Sequence, residues 1–229
     1  MSEAFTTRFE GRCWKFGDNI PTDALVKSRY VFDPMAEIVA HVLEDQNPRF
    51  PAEVQPGDIV VAGKHFGQSS GRAIATKALK ATGIGCVVAE TFSRTFFRNC
   101  FEVALPSLEV EGVSDLVEDG DHVIVDIAQG YFRNETRSIE RRAAPAAPFL
   151  LRMLAVGGLI ALTQSDPNWA ASTVEPDSPV TSSGSWGWPD AAHQRVAPEQ
   201  LASNLDGKGL PVEDLPGETG TDMYTTDRE

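Results

Sequence analysis

Alternating apolar runs and amphipathic segments predict short strands and helices along the first two thirds of the chain. Two runs, Asp58–Gly63 and Ile84–Ala89, are almost continuously apolar, which is typical of strands buried on both faces of a sheet. Between them, Arg72–Thr82 carries apolar residues at helical spacing, and Gly83 follows where a helix C-cap is expected. A strand, a helix and a second strand in this order predict a right-handed parallel crossover.

Further elements are predicted on either side of this unit. Asp33 and Pro34 are typical of an N-cap and a first helical residue, and the apolar stripe after them predicts a helix that continues to Leu43. The other predicted elements are a strand at Phe9–Phe16, a helix at Ser93–Phe101, a short strand at Leu108–Val110 and a hairpin of His122–Ile127 with Tyr131–Thr136. Together they predict an α/β domain without internal repeats.

The composition changes near Gln164. Residues 165–229 contain twelve acidic and three basic side chains, so they carry a net charge of −9 out of −13 for the whole chain. They also contain seven of the 15 prolines and few aliphatic runs, so they bury too little apolar surface to offset the entropy of ordering. We therefore predict a domain at residues 1–164 and a mostly irregular acidic extension of low order at 165–229, in which Trp186 and Trp188 offer an anchor on the domain or on a partner.

Charge, hydropathy and cysteine usage exclude several classes of protein. A net charge of −13 repels phosphate backbones and argues against nucleic-acid binding. No stretch approaches the roughly 20 apolar residues of a membrane span, and the N-terminus lacks the features of a secretory signal. Cys13, Cys86 and Cys100 are widely separated and lack the spacing of metal or cluster ligands. These features predict reduced, buried thiols, no metal site in this chain, and a cytoplasmic or organelle-matrix location.

The segment Gly63–Arg72 is the strongest candidate for chemistry, because it joins the end of a buried strand to the start of a helix. Ligands of α/β sheets bind at such strand ends, and a helix N-terminus favours a carboxylate. Ser69 or Ser70 is expected to be the N-cap, while Arg72 offers a bidentate carboxylate site. A serine with several nearby donors is suited to act as a base. A simple helix cap is the alternative, and a phosphate site is less favoured because the Gly-x-x-x-x-Gly-Lys-Ser/Thr motif is absent.

Three longer segments share a family pattern. They are Gly11–Asp23, which ends in Thr-Asp and is followed by Arg29; Pro56–Gly67, which runs into the serine loop; and Ala89–Cys100, which is followed by Leu-Pro. In order and spacing they resemble the small subunits of isopropylmalate dehydratases and the mobile C-terminal domain of aconitases. The resemblance extends from about Phe9 to Leu162 and does not include the acidic extension.

This resemblance implies a fold and a reaction. The fold would be the swivelling β/β/α three-layer domain of the aconitase C-terminal type. The chain would pair with a large subunit that holds a [4Fe–4S] cluster, and the heterodimer would reversibly dehydrate a dicarboxylate or tricarboxylate of the malate type. Isopropylmalate, an intermediate of leucine biosynthesis, is the leading substrate. Citrate-like, homocitrate-like and methyl-substituted malates remain alternatives.

The resemblance also implies roles for individual residues. The family's base serine aligns with Ser70, and the arginine that binds a carboxylate aligns with Arg72. The Thr-Asp aspartate is Asp23, which is expected beside the serine and the hydroxyl chemistry. Arg29 aligns with a substrate-binding arginine. The alternatives are an Asx turn at Asp23 and a surface ion pair at Arg29.

The serine loop departs from the family pattern at several positions. The family's Phe-Gly-Cys-Gly-Ser-Ser-Arg-Glu-His is replaced by Phe66–Ile74, in which Ala73-Ile74 takes the place of Glu-His. Ser69 and Gly71 are expected to complete the substrate-binding part of the loop. Two interpretations follow, a working dehydratase subunit and a degenerate interaction subunit that does not catalyse. Retention of the serine, the arginine and the aspartate favours the working enzyme.

Overall fold

The computed structural model describes residues 5–169, which contain seven strands and seven α-helices. The strands are β1 (Arg8–Lys15), β2 (Ile59–Ala62), β3 (Cys86–Ala89), β4 (Ser107–Glu109), β5 (His122–Asp126), β6 (Tyr131–Asn134) and β7 (Ile139–Arg142). The α-helices are α1 (Thr22–Leu25), α2 (Met35–Val39), α3 (Phe50–Glu53), α4 (Ile74–Ala81), α5 (Arg94–Glu102), α6 (Pro148–Val156) and α7 (Leu159–Ser165). Short 3-10 helices lie at Ser28–Tyr30 and Val113–Leu116.

All seven strands belong to one mixed sheet, in the order β4-β3-β2-β1-β5-β6-β7. The first part of β1, Arg8–Arg12, pairs antiparallel with β5, whereas its last part, Cys13–Lys15, pairs parallel with β2. β1 therefore joins a parallel half, β1 to β4, to an antiparallel half, β1 with β5 to β7. The parallel β2–β3 pair and the β5–β6 hairpin confirm the two pairings that the sequence predicts.

The core covers the parallel half of the sheet and extends onto β5 and β6 through Val123, Val125 and Phe132. Every residue of β2 and β3 is buried, as their continuous apolar runs predict. α4 buries Ala75, Ala78 and Leu79, while α5 buries Phe96 and Phe101. Gly83 follows α4 with a φ of +88°, so the predicted helix end is confirmed, and the left-handed backbone there explains the choice of glycine.

The predicted helix from Asp33 to Leu43 is wrong in two respects. Its N-cap is Pro34, and no side chain donates or accepts a capping hydrogen bond there. The α-helix ends at Val39, and Leu43 takes a left-handed φ of +57°, which a regular α-helix excludes. The predicted apolar stripe nevertheless faces inward, because Leu43 is fully buried. The sequence patterns also predict no element at β7 or α6.

The chain after α7 is described only as far as Trp169, whose ring stacks on Phe149 at a centroid distance of 5.3 Å. Residues 170–229, which include Trp186 and Trp188 and most of the predicted acidic extension, lie outside the described residues. Within 5–169, no single helix has the length and apolar character of a membrane span. α6 and α7 meet that test only as a pair, and the chain bends by 85° between them.

Candidate functional site

A cavity of about 240 Å³ lies between the chain that follows β1 and the chain that follows β2. It is lined by Thr22, Asp23, Val26, Ser28, Val31, Ser69, Ser70, Arg72, Ile74 and Ala75. Four of the predicted site residues, Asp23, Ser69, Ser70 and Arg72, therefore meet at one cavity. They come from two segments that are far apart in sequence.

Backbone pairing brings these two segments together. The amide of Gly67 donates to the carbonyl of Ile20 at 2.8 Å, and the amide of Thr22 donates to the carbonyl of Gln68 at 2.8 Å. Pro21 and Gln68 form an isolated parallel bridge. Because β1 and β2 are parallel neighbours, the segments that leave their carboxyl ends continue side by side. The serine loop is thus placed by an extension of the sheet.

Ser70 is half-buried and has two hydrogen bonds that fix its position in the loop. Its Oγ accepts a hydrogen bond from the amide of Arg72 at 3.2 Å, and its own amide donates to Oγ1 of Thr22 at 3.1 Å. The expectation that Ser69 or Ser70 caps the helix is wrong, since α4 begins at Ile74. The reason is that the Ser70 hydroxyl binds an amide within the loop, two residues before the helical backbone begins.

The neighbours of Ser70 adopt conformations that its loop requires. Ser69 has a left-handed φ of +86°, and its Oγ donates to the carbonyl of Gln68 at 2.6 Å. The carbonyl of Gly71 accepts a hydrogen bond from Nδ2 of Asn99 at 3.0 Å. A Cβ at Gly71 would stand 3.1 Å from Cγ2 of Thr95, so the loop packs tightly against α5. A side chain at this position, such as the serine of the family motif, would require Thr95 to shift by a few tenths of an ångström.

Asp23 lies on the cavity wall at the start of α1. One of its carboxylate oxygens, Oδ1, accepts hydrogen bonds from both the amide and the hydroxyl of Ser28, at 2.9 and 2.8 Å. These bonds connect α1 to the 3-10 helix at Ser28–Tyr30. The structure does not show the Asx turn offered as the alternative, because these bonds run to a residue five positions on instead of two. They nevertheless hold the carboxylate at the cavity.

Arg29 does not line the cavity. Its side chain is 64 % exposed, its Nη2 lies 3.5 Å from Oε1 of Glu44, and its guanidinium lies 4.6 Å from the ring centroid of Tyr30. Glu44 also binds Nζ of Lys27 and Nδ1 of His41, each at 2.7 Å. The hydrogen bond from Lys27 and then that from His41 lower the pKa of Glu44 to about 2. The structure thus separates Arg29 from the other predicted site residues and pairs it with a surface acid.

Four of the residues that line the cavity are apolar, Val26, Val31, Ile74 and Ala75, and we call them the apolar wall. They line the same cavity as polar groups of the serine loop and the Thr-Asp turn. The replacement of the family's Glu-His pair by Ala-Ile contributes to this wall, because Ile74 is one of its members. The cavity therefore presents polar and charged groups beside a surface suited to an aliphatic substituent.

Sequence reasoning missed Thr22 and Asn99 as parts of this site. Both are buried, with exposures of 6 % and 4 %, and both bind the backbone of the serine loop. Their signal in the sequence was their presence inside two of the three family motifs. A polar residue in a motif carries no indication of its partner, so their role required the three-dimensional contacts.

The three cysteines are free, fully buried and held on separate elements, β1, β3 and α5. Burial raises the pKa of all three thiols, that of Cys100 to about 12. Because they lie on three separate elements, the thiols do not form the grouped set of ligands that a cluster needs. The prediction that Cys13, Cys86 and Cys100 are buried thiols is confirmed.

Within residues 5–169, potential metal-ligating atoms lie close together in one group of side chains, Glu10, His122 and Glu135. All three are exposed, and the two ring nitrogens of His122 face different carboxylates, at 3.7 and 3.6 Å. This arrangement is explained by surface ion pairing. It contains no cysteine, so the described part of the chain has no ligand set that fits an iron–sulfur cluster.

Comparisons with known proteins place the chain in a family. Residues 36–112 match the family model of the aconitase C-terminal domain. The 3-isopropylmalate dehydratase small subunit of Thermodesulfovibrio yellowstonii is 42% identical over 159 residues, which are 69% of this chain and 94% of the relative. The chain belongs to the 3-isopropylmalate dehydratase small-subunit family. The family resemblance predicted from three motifs is thereby confirmed, as is the enzyme class, a hydro-lyase.

Other members of the family lead to the same assignment. Small subunit 1 of the Methanopyrus kandleri 3-isopropylmalate dehydratase is 44% identical over 158 residues, 68% of this chain and 92% of the relative. The crystal structure of a 3-isopropylmalate dehydratase from Methanocaldococcus jannaschii superposes with a TM-score of 0.66 at 29% identity, covering 73% of this chain and 99% of that one. The predicted fold of the aconitase C-terminal type is confirmed. About a third of this chain lies outside the matches to the two relatives.

Proposed function

We propose that this chain is the small subunit of a two-subunit hydro-lyase that reversibly removes and re-adds water on 3-isopropylmalate, a step of leucine biosynthesis. The observation that carries the proposal is the position of Ser70. Its Oγ accepts the amide hydrogen of Arg72 at 3.2 Å, and both residues line a cavity with an apolar wall. The names of the family members in the comparisons support the same substrate.

Ser70 is the proposed base. Ser70 would first lose its own proton to solvent, and the resulting anion would take the proton from carbon and become a hydroxyl again. The amide of Arg72 donates to the Oγ that carries this negative charge before the step. A substrate carboxylate next to the same carbon would bind the guanidinium of Arg72 in bidentate fashion. The positive charge of Arg72 would also favour the serine anion. We assign to Asp23, which also lines the cavity, the orientation of the substrate hydroxyl. Ser69, which lines the cavity, and Gly71, which follows Ser70 but does not line it, are proposed to complete the loop around the substrate.

The apolar wall favours an aliphatic substituent on the substrate. An isopropyl group placed against Val26, Val31 and Ile74 would remove apolar surface from water. A carboxylate in the same place, as in a citrate-like substrate, would be desolvated without a partner on that wall. A methyl-substituted malate is the second candidate, because the same wall accepts a smaller group, and the isopropylmalate/citramalate isomerase small subunit of Methanocaldococcus jannaschii is 41% identical.

Arg29 is proposed as a second carboxylate-binding group, as the family resemblance implies. Ser28, its chain neighbour, already lines the cavity. To reach a ligand there, the guanidinium would have to leave Glu44, from which it is separated by 3.5 Å. An exposed pair of this kind contributes little free energy, on the order of 1 kcal/mol or less, so it is readily exchanged for a substrate carboxylate.

A partner must supply the remaining chemistry. Departure of the hydroxyl requires a Lewis acid, and within residues 5–169 no group of cysteines fits an iron–sulfur cluster that would supply one. We therefore propose a large subunit that holds a [4Fe–4S] cluster, supplies this Lewis acid and covers the cavity. The three free thiols fit a reducing compartment, so we place the pair in the cytoplasm or an organelle matrix.

The test is reconstitution of the pair. The chain is co-expressed anaerobically with a cluster-bearing large subunit from the same genome, and formation of the unsaturated diacid is followed by absorbance. Isopropylmalate, a methyl-substituted malate and citrate are compared as substrates. We expect turnover with isopropylmalate, and a loss of roughly 10²- to 10⁴-fold in Ser70→Ala with the pair intact. Ser138→Ala, at an exposed serine between β6 and β7, is the matched control and should retain the wild-type rate.

Each outcome separates two interpretations. A stable pair without turnover on any diacid would favour the non-catalytic interaction subunit over the enzyme. Turnover with citrate alone would overturn the role of the apolar wall. Unchanged turnover in Ser70→Ala would remove Ser70 as the base while leaving the assignment of the pair as a hydro-lyase.

A further inference from the structure

Two buried polar side chains hold the serine loop from opposite sides. Thr22, at the start of α1, is 6 % exposed, and its Oγ1 accepts the amide hydrogen of Ser70 at 3.1 Å. Asn99, on α5, is 4 % exposed, and its Nδ2 donates to the carbonyl of Gly71 at 3.0 Å. The two bonds therefore fix the backbone at Ser70 and at the residue that follows it.

Thr22 contacts the loop at two points. Besides accepting from Ser70, it donates its own amide hydrogen to the carbonyl of Gln68 at 2.8 Å. Both ends of the stretch Gln68–Ser70 are thus hydrogen-bonded to Thr22. Within this stretch Ser69 holds a left-handed φ of +86°, a conformation that a non-glycine residue adopts only when its surroundings impose it.

The position of the Ser70 hydroxyl follows from these backbone contacts. Its Oγ accepts a hydrogen bond from the amide of Arg72. This amide belongs to the same peptide group as the Gly71 carbonyl to which Asn99 donates. A shift of the Ser70 or Gly71 backbone would therefore change both the direction of Oγ and the donor that stabilises it. A hydroxyl that must meet a carbon-bound proton tolerates little displacement.

We propose that Thr22 and Asn99 are positioning residues for Ser70, which act on the reaction through the backbone of the serine loop without touching the substrate's reacting atoms. The inference rests on the proposed role of Ser70 as the base. The proposal gives a function to Thr22 and Asn99. Both lie in family motifs, but the sequence alone indicates no chemical role for either of them. The proposal also explains why such groups are kept in a buried position, where an unpaired polar atom is costly.

The first experiment uses the reconstituted pair and two substitutions at one site. Thr22→Val keeps the side-chain shape and removes the acceptor, whereas Thr22→Ser keeps the acceptor and removes a methyl group. We expect Thr22→Val to lower kcat by roughly 10- to 100-fold with KM within about twofold of wild type. Thr22→Ser should restore most of kcat. If Thr22 had a purely structural role, Thr22→Val would change pair formation or stability. It would not lower kcat alone, and Thr22→Ser would not restore kcat selectively.

A double-variant cycle then tests the route of action. If Thr22 acts through Ser70, adding Thr22→Val to Ser70→Ala should lower kcat no further. Asn99→Leu, which removes the donor to Gly71 and keeps the branching of the side chain, should behave in the same way. Full additivity in either cycle, or an equal loss in Thr22→Ser and Thr22→Val, would overturn the positioning role.

A readout independent of turnover keeps this inference separate from the proposed function. Hydrogen exchange of the Ser70 amide is measured in the full chain alone, in wild type and in Thr22→Val. Loss of the acceptor should speed exchange at Ser70 at least fivefold while leaving the amide of Val87 in β3 unchanged. If wild-type pairs show no turnover and exchange still responds, the proposed function fails while the contact stands. If exchange at Ser70 does not change, the positioning inference fails.

Discussion

Gly67 and Phe96 approach each other so closely that no side chain fits between them. A Cβ built on Gly67 would stand 2.1 Å from Cγ of Phe96, and the backbone of Gly67 has a left-handed φ of +76°. The ring of Phe96 also packs edge-to-face on Phe66 at a centroid distance of 5.3 Å. The start of the serine loop therefore packs directly on the aromatic rings of Phe66 and Phe96. Glycine is required at position 67 because a Cβ has no room there and because the backbone is left-handed.

We expect Gly67→Ala to lower the free energy of unfolding by about 2 to 4 kcal/mol, since it adds an overpacked methyl group and a left-handed non-glycine residue. Gly17→Ala is the matched control, because a Cβ at Gly17 meets nothing within 4 Å. It should change stability by less than about 1 kcal/mol. Urea unfolding of both variants measures the difference. Equal midpoints would show that the loop moves away from Phe96 without cost.

Ser69 stores backbone strain that glycine would release. Its φ of +86° is unfavourable for a residue with a Cβ, by roughly 1 to 2 kcal/mol, while glycine loses about 0.5 to 1 kcal/mol through the entropy of the unfolded chain. Ser69→Gly should therefore be more stable than Ser69→Ala by up to about 1 kcal/mol, since both variants lose the bond to the Gln68 carbonyl and only glycine releases the strain. Ser69→Ala should be less stable than wild type, because it keeps the strain and loses the bond to the Gln68 carbonyl. Denaturant unfolding that ranks Ser69→Ala above Ser69→Gly would contradict this account.

Arg29 and Lys27 share Glu44 as a partner, which provides a controlled test of substrate binding. If Arg29 also binds a substrate carboxylate, Arg29→Met should raise KM of the reconstituted pair about tenfold, equivalent to one charged hydrogen bond. Lys27→Met removes another cation from the carboxylate of Glu44 and should leave KM within about twofold of the wild-type value. Steady-state kinetics with isopropylmalate distinguish them. The same KM in both variants would show that Arg29 acts only through Glu44.

Glu44 predicts a component of acid sensitivity. Hydrogen bonds from Lys27 and His41 hold its pKa at about 2, below the ordinary 4.5. As the pH falls, the unfolded chain binds this proton first, so the stability contributed by Glu44 is present above about pH 4.5 and declines toward pH 2. Glu44→Gln should flatten the curve of unfolding free energy in this range, and Lys27→Met should flatten it in part. Parallel curves for wild type and Glu44→Gln would contradict the lowered pKa.

Local patterns were sufficient for much of the fold and for the centre of the site. Strands β2 and β3 and the helix between them were predictable because continuous apolar runs and helical spacing are properties of a few adjacent residues. Ser70 and Arg72 were predictable because they lie within one short motif, and their hydrogen bond spans two residues. The end of α2 and the start of α4 were missed, since the backbone angle at Leu43 and the loop bonds of Ser70 depend on tertiary packing.

The sequence by itself determined the elements, the family motifs and the residue types that carry the chemistry. Only the tertiary structure decided which of them meet. Thr22 reaches Ser70 across 48 positions, and Asn99 reaches Gly71 across 28, because parallel pairing of β1 with β2 and packing of α5 bring distant segments together. The same packing places Arg29 on Glu44 and outside the cavity. Such contacts arise from burial and backbone pairing between segments, which the residues of either segment alone do not specify.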